Sequence, residues 1–476
     1  MSHYSLKQLD GGALQLSSEA VESLSAALRG EILTPDSSHY DWGRSIWNAM
    51  IDRRPGLIAR CVVPSDVRAA LDFAREHRLL VSVKGGGHNV AGNAVCDGGL
   101  MIDLSPMRWV RVDAERQVAQ VGAGALLGDL DREALAYDLI TPLGINSTTG
   151  VAGLTLGGGF GWLSRRFGLS VDNLLSADLV GTDGQMLHAS EEHLPDLFWA
   201  LRGGGGNFGI VTSFEFKLHP ICPDVFAGLI VYPLSEAASV MRQYRAFAAD
   251  APDNLSVWCV LRQAPPLPFL DAGDHGREVI LLALCYSGNP DEGDALIEPL
   301  RHLGTPLGEH LGRQPYGAWQ TAFDPLLTPG ARNYWKSHNF KALDDGVIDS
   351  LVAATSTLPS PHCEIFVGQL GGVINLRSAE ATAYPHRDVE FVINMHARWE
   401  TAAEDKSCVG WARALFDALA PAATGGVYVN FMTEDEQARV GNAYGPNQRR
   451  LMQLKQRYDP DNLLRMNQNI RPDSEN

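Results

Sequence analysis

Residues 81–95 read VSVKGGGHNVAGNAV, and the rest of the chain is organised around them. A strand-forming run (Val81, Ser82, Val83) stops at Gly85, Gly86 and Gly87; His88 follows at once, and Asn89, Gly92 and Asn93 keep the next turn small and polar. Three successive glycines remove every Cβ from a loop leaving a strand, so the backbone is free to take positive φ and to turn its N–H groups towards one point. Such a loop suits an anion, although by itself it also reads as a glycine-rich surface turn with a chance histidine. Two further clusters, at residues 157–159 and 203–206, favour a backbone-lined site.

The composition agrees. A chain of 476 residues exceeds one simple core and predicts two or three domains. Its 48 glycines are about ten per cent of the chain, against a usual level of roughly seven per cent, and the excess is clustered. The net charge of −17 argues against nucleic acid as a partner, because such a binder needs a basic face to release counterions. Seven cysteines are odd in number and widely spaced, with no C-x-x-C pair and no Cys/His spacing for a metal, which predicts buried thiols in a reducing compartment. The opening MSHYSLKQLDGG lacks a charged region followed by an apolar one, and no apolar run approaches the roughly twenty residues of a membrane span. A cytoplasmic location and no membrane partner are expected.

Outward from the triple glycine, a helix is expected over residues 14–28, a strand over 56–63, a helix over 66–77 and a strand over 79–83, the last three forming a β-α-β unit. Strands are expected at 99–103, 109–112 and 117–121, leading to GAGALLGDL at 122–130. This invites a dinucleotide reading, but Gly128 comes one residue too late for G-x-G-x-x-G, so a sharp turn starting a helix is the better account. In residues 144–173, GINSTTGVAGLTLGGGFGWLSRRFGLSVDN, small residues would let a flat ligand lie against the main chain; equally, they would allow a tightly packed core. Two strands within 177–187 turn at Asp183 and Gly184, and an alternating strand covers 210–218. From Pro220 to about 420, helices at 235–249, 344–356 and 407–419 alternate with strands at 225–231, 255–261, 279–285 and 363–370, which predicts a second α/β domain whose sheet walls a pocket. The tail reads as a strand at 427–431 and a helix at 447–458.

Taken together, GGGHNVAG (85–92), GLTLGGGFGWLSRRFGLSVDN (153–173), RGGGGNFGIVT (202–212), YVNF (428–431) and YDPDNLLRMNQNI (458–470) resemble the berberine-bridge-enzyme-like branch of the vanillyl-alcohol oxidase superfamily of FAD-linked oxidases. The resemblance implies an α+β fold. A two-part FAD domain would comprise residues 1–218, with its core at about 54–220, and 426–476; a substrate domain, 219–425, would lie between them. It implies FAD bonded covalently to His88 through the 8α-methyl carbon, a role that suits a neutral imidazole as nucleophile. It also implies cofactor contacts from Gly85, Gly86, Gly87, Asn89, Gly92, Thr149, Gly150, Gly153, Leu154, Gly157, Gly158, Gly159, Asn173, Gly206, Asn207, Ile210, Val211, Tyr428, Asn430, Asn467 and Asn469. Many members carry a cysteine, in G-x-C-P-x-x-G, that bonds flavin a second time. Here Asn146 stands at that position, so a single attachment is expected. Thr148 and Thr149 would lie near the flavin ring or simply bond a turn.

The activity implied is oxidation of a C–H next to O or N of a small or secondary-metabolite substrate, with dioxygen reduced to hydrogen peroxide. The alternative is an oxygenase or oxidative cyclase acting on a polyketide-like carbon acid. Tyr428 matches the family's Y-x-N tyrosine and is the expected base, which requires a lowered phenol pKa; a strand tyrosine packing on the flavin edge is the competing reading. Asn430 is expected on the same side at period two. Gln369 resembles a family position that often carries an acid or a tyrosine, and as a poor base it is expected to orient substrate. Tyr334, Lys336, His338, His386 and Arg387 read as structural. Trp258, Trp319, Trp335 and Trp399 would stack on a substrate or fill the core.

Overall fold

The computed structural model describes residues 3–473. Strands Leu57–Arg60, Leu100–Asp103 and Val81–Lys84 lie parallel in that spatial order, with Glu31–Leu33 antiparallel at the edge. Helix Pro64–Glu76 makes the crossover: Pro64 opens it where no N–H is needed, and Val67, Ala70, Leu71 and Ala74 form the stripe it buries. The triple-glycine loop therefore leaves the carboxyl end of a parallel strand, the end at which such sheets bind ligands.

An antiparallel sheet follows in the order Met186–Ser190, Leu174–Val180, Ile210–Lys217, Val118–Gly122, Val110–Asp113. The GAGALLGDL stretch is a turn into helix Leu127–Leu135, started by the Asp129 carboxylate accepting the Leu126 N–H at 2.9 Å. Residues 14–28 do not form one helix. His3–Lys7 and Ala13–Ser17 pair as a hairpin, and helix Ser18–Ala27 begins only after Ser17, whose hydroxyl accepts the Ala20 N–H. The alternation of Leu14 and Leu16 prevails here because the partner strand supplies ladder bonds.

Beyond Asp224 the chain builds a seven-stranded sheet, antiparallel throughout, in the order Gly308–Pro315, Asp224–Pro233, Glu278–Tyr286, Leu255–Gln263, Glu364–Gln369, Phe391–Trp399, Arg332–Phe340. Helices Ala237–Asp250, Asp345–Thr355 and Asp405–Leu419 cover one face, where Val257, Cys259, Leu261, Ile365, Val367, Ile393 and Met395 meet Met241, Tyr244, Ile348, Leu351, Trp411 and Leu415. The alternate residues of the same strands face the other way, and there the ligand cleft lies.

The tail then returns to the first core, to which Val427, Val429, Met432, Tyr444, Leu451 and Leu463 all belong. The strand expected at 427–431 is instead a single 3-10 turn, Val429–Phe431, and helix Gln448–Tyr458 follows. Among the described residues no helix is long and apolar enough to cross a membrane, and no cluster of His, Cys, Asp or Glu fits a metal ion. All seven cysteines are free thiols, and only Cys222 is exposed.

One buried ion pair holds the tail. Lys455 and Asp459 are both fully buried, and Lys455 Nζ donates to Asp459 Oδ2 (2.6 Å), to the Asn207 carbonyl (3.0 Å) and to the Leu464 carbonyl (3.3 Å). Asp459 in turn accepts the N–H groups of Leu463 and Leu464. Lys455→Met leaves a buried carboxylate without its counter-charge, so unfolding free energy from urea titration is expected to fall by about 3–5 kcal/mol. A loss below about 1 kcal/mol would show that the pair does not anchor the segment.

Candidate active site

Two glycine loops and the bare face of the large sheet enclose one long cleft, whose empty space is about 2000 Å³ including its mouth. Gly86 and Gly150 abut so closely that a Cβ on Gly86 would lie 2.5 Å from Gly150 Cα, which is why neither position tolerates a side chain. Gly153 and Gly206 are different: both line the cleft, and a Cβ on either meets nothing within 4 Å. Their glycines keep open a space that a ligand would fill. The backbone N–H groups of residues 86–89 find no acceptor among the described residues, which leaves a small nest of donors beside that space. An extended dinucleotide carrying a pyrophosphate fits both features.

His88 sits at the head of this loop. Its ring is stacked on Trp47 (centroids 4.4 Å apart, planes at 23°), and its Nε2 lies 3.3 Å from Thr148 Oγ1. Burial, then the positive charge of Arg398, pushes the imidazole down to about 3, so it is neutral at ordinary pH. On the facing side, the Tyr428 hydroxyl oxygen accepts the Gly159 N–H (3.0 Å) and Asn430 Nδ2 (3.0 Å). The sequence asks for a lowered phenol pKa. Burial instead pushes Tyr428 up to about 12, the two donors pull the other way, and no cation contributes. Asn430 reaches Tyr428 across the turn rather than by strand alternation, and it also donates to the Leu154 carbonyl.

The sheet wall carries a rung of four residues in direct register: Arg262, Glu364, His396 and Trp335. Arg262 donates to Glu364 Oε2 at 2.6 Å, and His396 Nδ1 lies 3.0 Å from Glu364 Oε1. Burial works to raise the Glu364 carboxyl, but Arg262 and His396 outweigh it and hold the group at about 2. Phe160, Trp258, Phe366 and Phe431 complete an aromatic enclosure in contact with Tyr428 and Trp335. Asn394 Oδ1 and Trp335 Nε1 have no partner among the described residues, although both residues line the cleft.

Of the residues expected at the cofactor, Gly85, Gly86, Gly87, His88, Asn89, Thr149, Gly150, Gly153, Leu154, Gly157, Gly206, Ile210, Val211, Tyr428, Asn430 and Asn467 line the cleft. The others lie behind it. Gly92 and Gly158 take positive φ and pack on Ile51 and Tyr384, while Gly159 acts through its N–H on Tyr428. Asn173 braces its own turn by donating to the carbonyls of Phe167 and Leu169, and Asn207 binds the Gly204 and Gln468 carbonyls. Asn469 does not reach the cleft. Gln369 is on the wrong face of its strand: its side chain accepts the Val257 N–H and donates to the Ala248 carbonyl on the helical side, so it cannot orient a substrate. Arg387 grips buried Asp172 through two bonds (2.7 and 2.8 Å) and is structural. Trp258 and Trp335 line the cleft; Trp399 is core and donates to Asp405. Sequence reading missed Trp47, Glu364, Phe366, Asn394 and His396. Polar residues at alternate positions of otherwise apolar strands were the available signal.

Comparison with known proteins meets this geometry from outside. Residues 55–190 match the family described as an FAD binding domain, and residues 427–471 match the one described as berberine and berberine like. The chain is 32% identical to an FAD-linked oxidoreductase of Dictyostelium discoideum, over 97% of this chain and 98% of that protein. It is 30% identical to (R)-6-hydroxynicotine oxidase of Paenarthrobacter nicotinovorans, over 94% and 98%. The crystal structure of 6-hydroxy-D-nicotine oxidase from Arthrobacter nicotinovorans superposes with a TM-score of 0.84 at 28% identity, covering 94% of this chain and 98% of that one. A glycine-lined cleft shaped for a dinucleotide, closed by a returning tail of the berberine-like type, places this chain among the berberine-bridge-enzyme-like FAD-linked oxidoreductases.

Proposed function

We propose that the chain is an FAD-dependent oxidase that removes hydride from a C–H next to O or N of a small or secondary-metabolite substrate, with dioxygen reduced to hydrogen peroxide. The observation that carries this reading is the Tyr428 hydroxyl, held by two donors at the floor of an aromatic cleft. FAD, when bound, supplies the electron sink and the route to dioxygen. Gly153 and Gly206 leave it room, the N–H groups of 86–89 suit its pyrophosphate, and neutral His88 suits a single covalent attachment.

The remaining work belongs to this chain's side chains. Both lone pairs of the Tyr428 oxygen already accept hydrogen bonds, so a phenolate there keeps its two donors and the phenol must point its own proton elsewhere. That arrangement lets the phenolate form of Tyr428 take the hydroxyl or amine proton of a substrate as its C–H bond breaks. Asn394 Oδ1 and Trp335 Nε1 are a buried acceptor and a buried donor without a partner among the described residues, on two residues that line the cleft. Phe160, Phe366 and Phe431 exclude water around them. Free cysteines, six of them buried, support a reducing compartment such as the cytoplasm.

Three measurements test the reading. Acid precipitation is expected to give a yellow pellet from the wild type and a colourless one from His88→Ala; a yellow supernatant from the wild type would remove the covalent attachment. Gly153→Leu projects into open space, so the protein should fold with unchanged Tm yet fail to take up FAD. Tyr428→Phe is expected to slow anaerobic flavin reduction by about 10²-fold or more. Because burial raises the phenol to about 12, the wild-type rate should climb with pH through the accessible range and the variant's should stay flat. Equal rates in both proteins would remove Tyr428 as the base.

A further inference from the structure

Thr148 is the only hydrogen-bonding neighbour of His88 among the described residues, and its own bonds decide what it offers to the ring. Asn146 Oδ1 lies 2.9 Å from the Thr148 backbone N–H, which can only donate, and Asn146 Nδ2 lies 3.3 Å from the Leu327 carbonyl, which can only accept. The carboxamide therefore has one orientation. Its oxygen also sits 2.6 Å from Thr148 Oγ1, so the threonine hydroxyl must spend its single proton on Asn146. What remains on Thr148 Oγ1 is lone pairs, and the nitrogen facing them must carry a proton. The imidazole is thus the Nε2–H tautomer, with its lone pair on Nδ1. Nδ1 has no partner among the described residues, nor is it a sealed, unsatisfied atom; it opens on the cleft.

We propose that Asn146 and Thr148 are positioning residues that fix the tautomer of His88 and direct covalent attachment to Nδ1. The inference rests on the reading of His88 as the flavin attachment site. Asn146, which stands where the family resemblance would place a second attachment cysteine, serves the first attachment instead. In the reaction, a bond forms between His88 Nδ1 and the 8α carbon of FAD, while one 8α C–H bond and the Nε2–H bond break. The two electrons and two protons released reduce one dioxygen to hydrogen peroxide. Burial that keeps the ring neutral and the Trp47 stack that holds its plane both serve the same nucleophile.

The test starts from apoprotein. FAD is added, and covalent flavin in the acid pellet is followed with time for the wild type, Thr148→Ser, Thr148→Val and Asn146→Leu. Thr148→Ser keeps the acceptor and should attach flavin at the wild-type rate. Thr148→Val and Asn146→Leu should bind FAD with unchanged affinity but attach it at least about tenfold more slowly, because a misplaced tautomer presents the wrong nitrogen. NMR of the isolated aminoacyl flavin should show Nδ1 substituted. Independently, 15N-histidine spectra of the apoprotein, with His88 assigned by its loss in His88→Gln, should show a protonated Nε2 in the wild type and mixed tautomers in Thr148→Val. Attachment through Nε2, or a Thr148→Val rate equal to wild type, overturns the proposal. A wild type that forms no covalent flavin while retaining the Nε2–H signal overturns the attachment reading and leaves the hydrogen-bond chain standing.

Discussion

The carbonyl oxygen of Leu327 accepts two hydrogen bonds, from Trp47 Nε1 at 2.8 Å and from Asn146 Nδ2 at 3.3 Å. Leu327 lies in the large insert, while both donors lie beside His88, one on the ring that stacks against the imidazole and one in the loop that fixes its hydrogen bond. A few residues earlier, Asp324 accepts both the N–H and the hydroxyl of Ser147. The segment around 324–327 therefore grips the 144–150 loop at two points, and the histidine's surroundings exist only once the insert has packed. Arg165 ties the same halves from the other side, donating to the carbonyls of Leu255, Leu370 and Ala251. A buried guanidinium satisfied by three carbonyls is hard to replace, since losing it would strand those acceptors.

This dependence explains which parts of the site were readable in advance. The glycine loops carry their meaning locally: three glycines after a strand, and small residues where two backbones abut, can be recognised from neighbouring residues alone. Gly86 meeting Gly150 is a long-range contact, yet each partner already declares that nothing larger fits. The β-α-β unit and four of the seven strands of the large sheet were legible for the same reason, because their periodicity is a property of short windows, whereas Gly308–Pro315, Arg332–Phe340 and Phe391–Trp399 were not anticipated. Where two periodicities competed, as at residues 13–17, a hairpin partner supplied the deciding bonds, and a window could not see it.

Gln369 shows the limit more sharply. Strand Glu364–Gln369 is nearly apolar on both faces, so composition does not say which set of alternate residues looks at the cleft. Register settles it: Arg262, Glu364 and His396 stand opposite one another across three strands, and a shift of one residue would bury that charge among Ile365 and Val367. The ion pair thus does double duty in the fold. It makes the alternative register costly, since an unpaired carboxylate against the helical layer has no compensating donor. The polar rung in the cleft is the residue set that register protects, and Gln369, one residue out of phase, is left to cap the helical side through Val257 and Ala248.

Tyr428 carries the same lesson into chemistry. Ionising a phenol held at about 12 costs about 7 kcal/mol at pH 7, so the phenolate that acts as base is a small fraction there and grows as pH rises. Two donors on its oxygen reduce the cost but do not abolish it, and the described residues place no cation beside it. The phenolate is the form able to accept the substrate's proton, and its basicity is matched to a hydroxyl or amine proton whose acidity rises as the C–H bond gives up its electrons. Such a site favours substrates whose proton and hydride leave adjacent atoms, so that neither group needs to ionise alone. A cleft lined by His396, by Glu364 already paired with Arg262, and by aromatic rings meets that demand, because no uncompensated cation among them stabilises a free anion in advance.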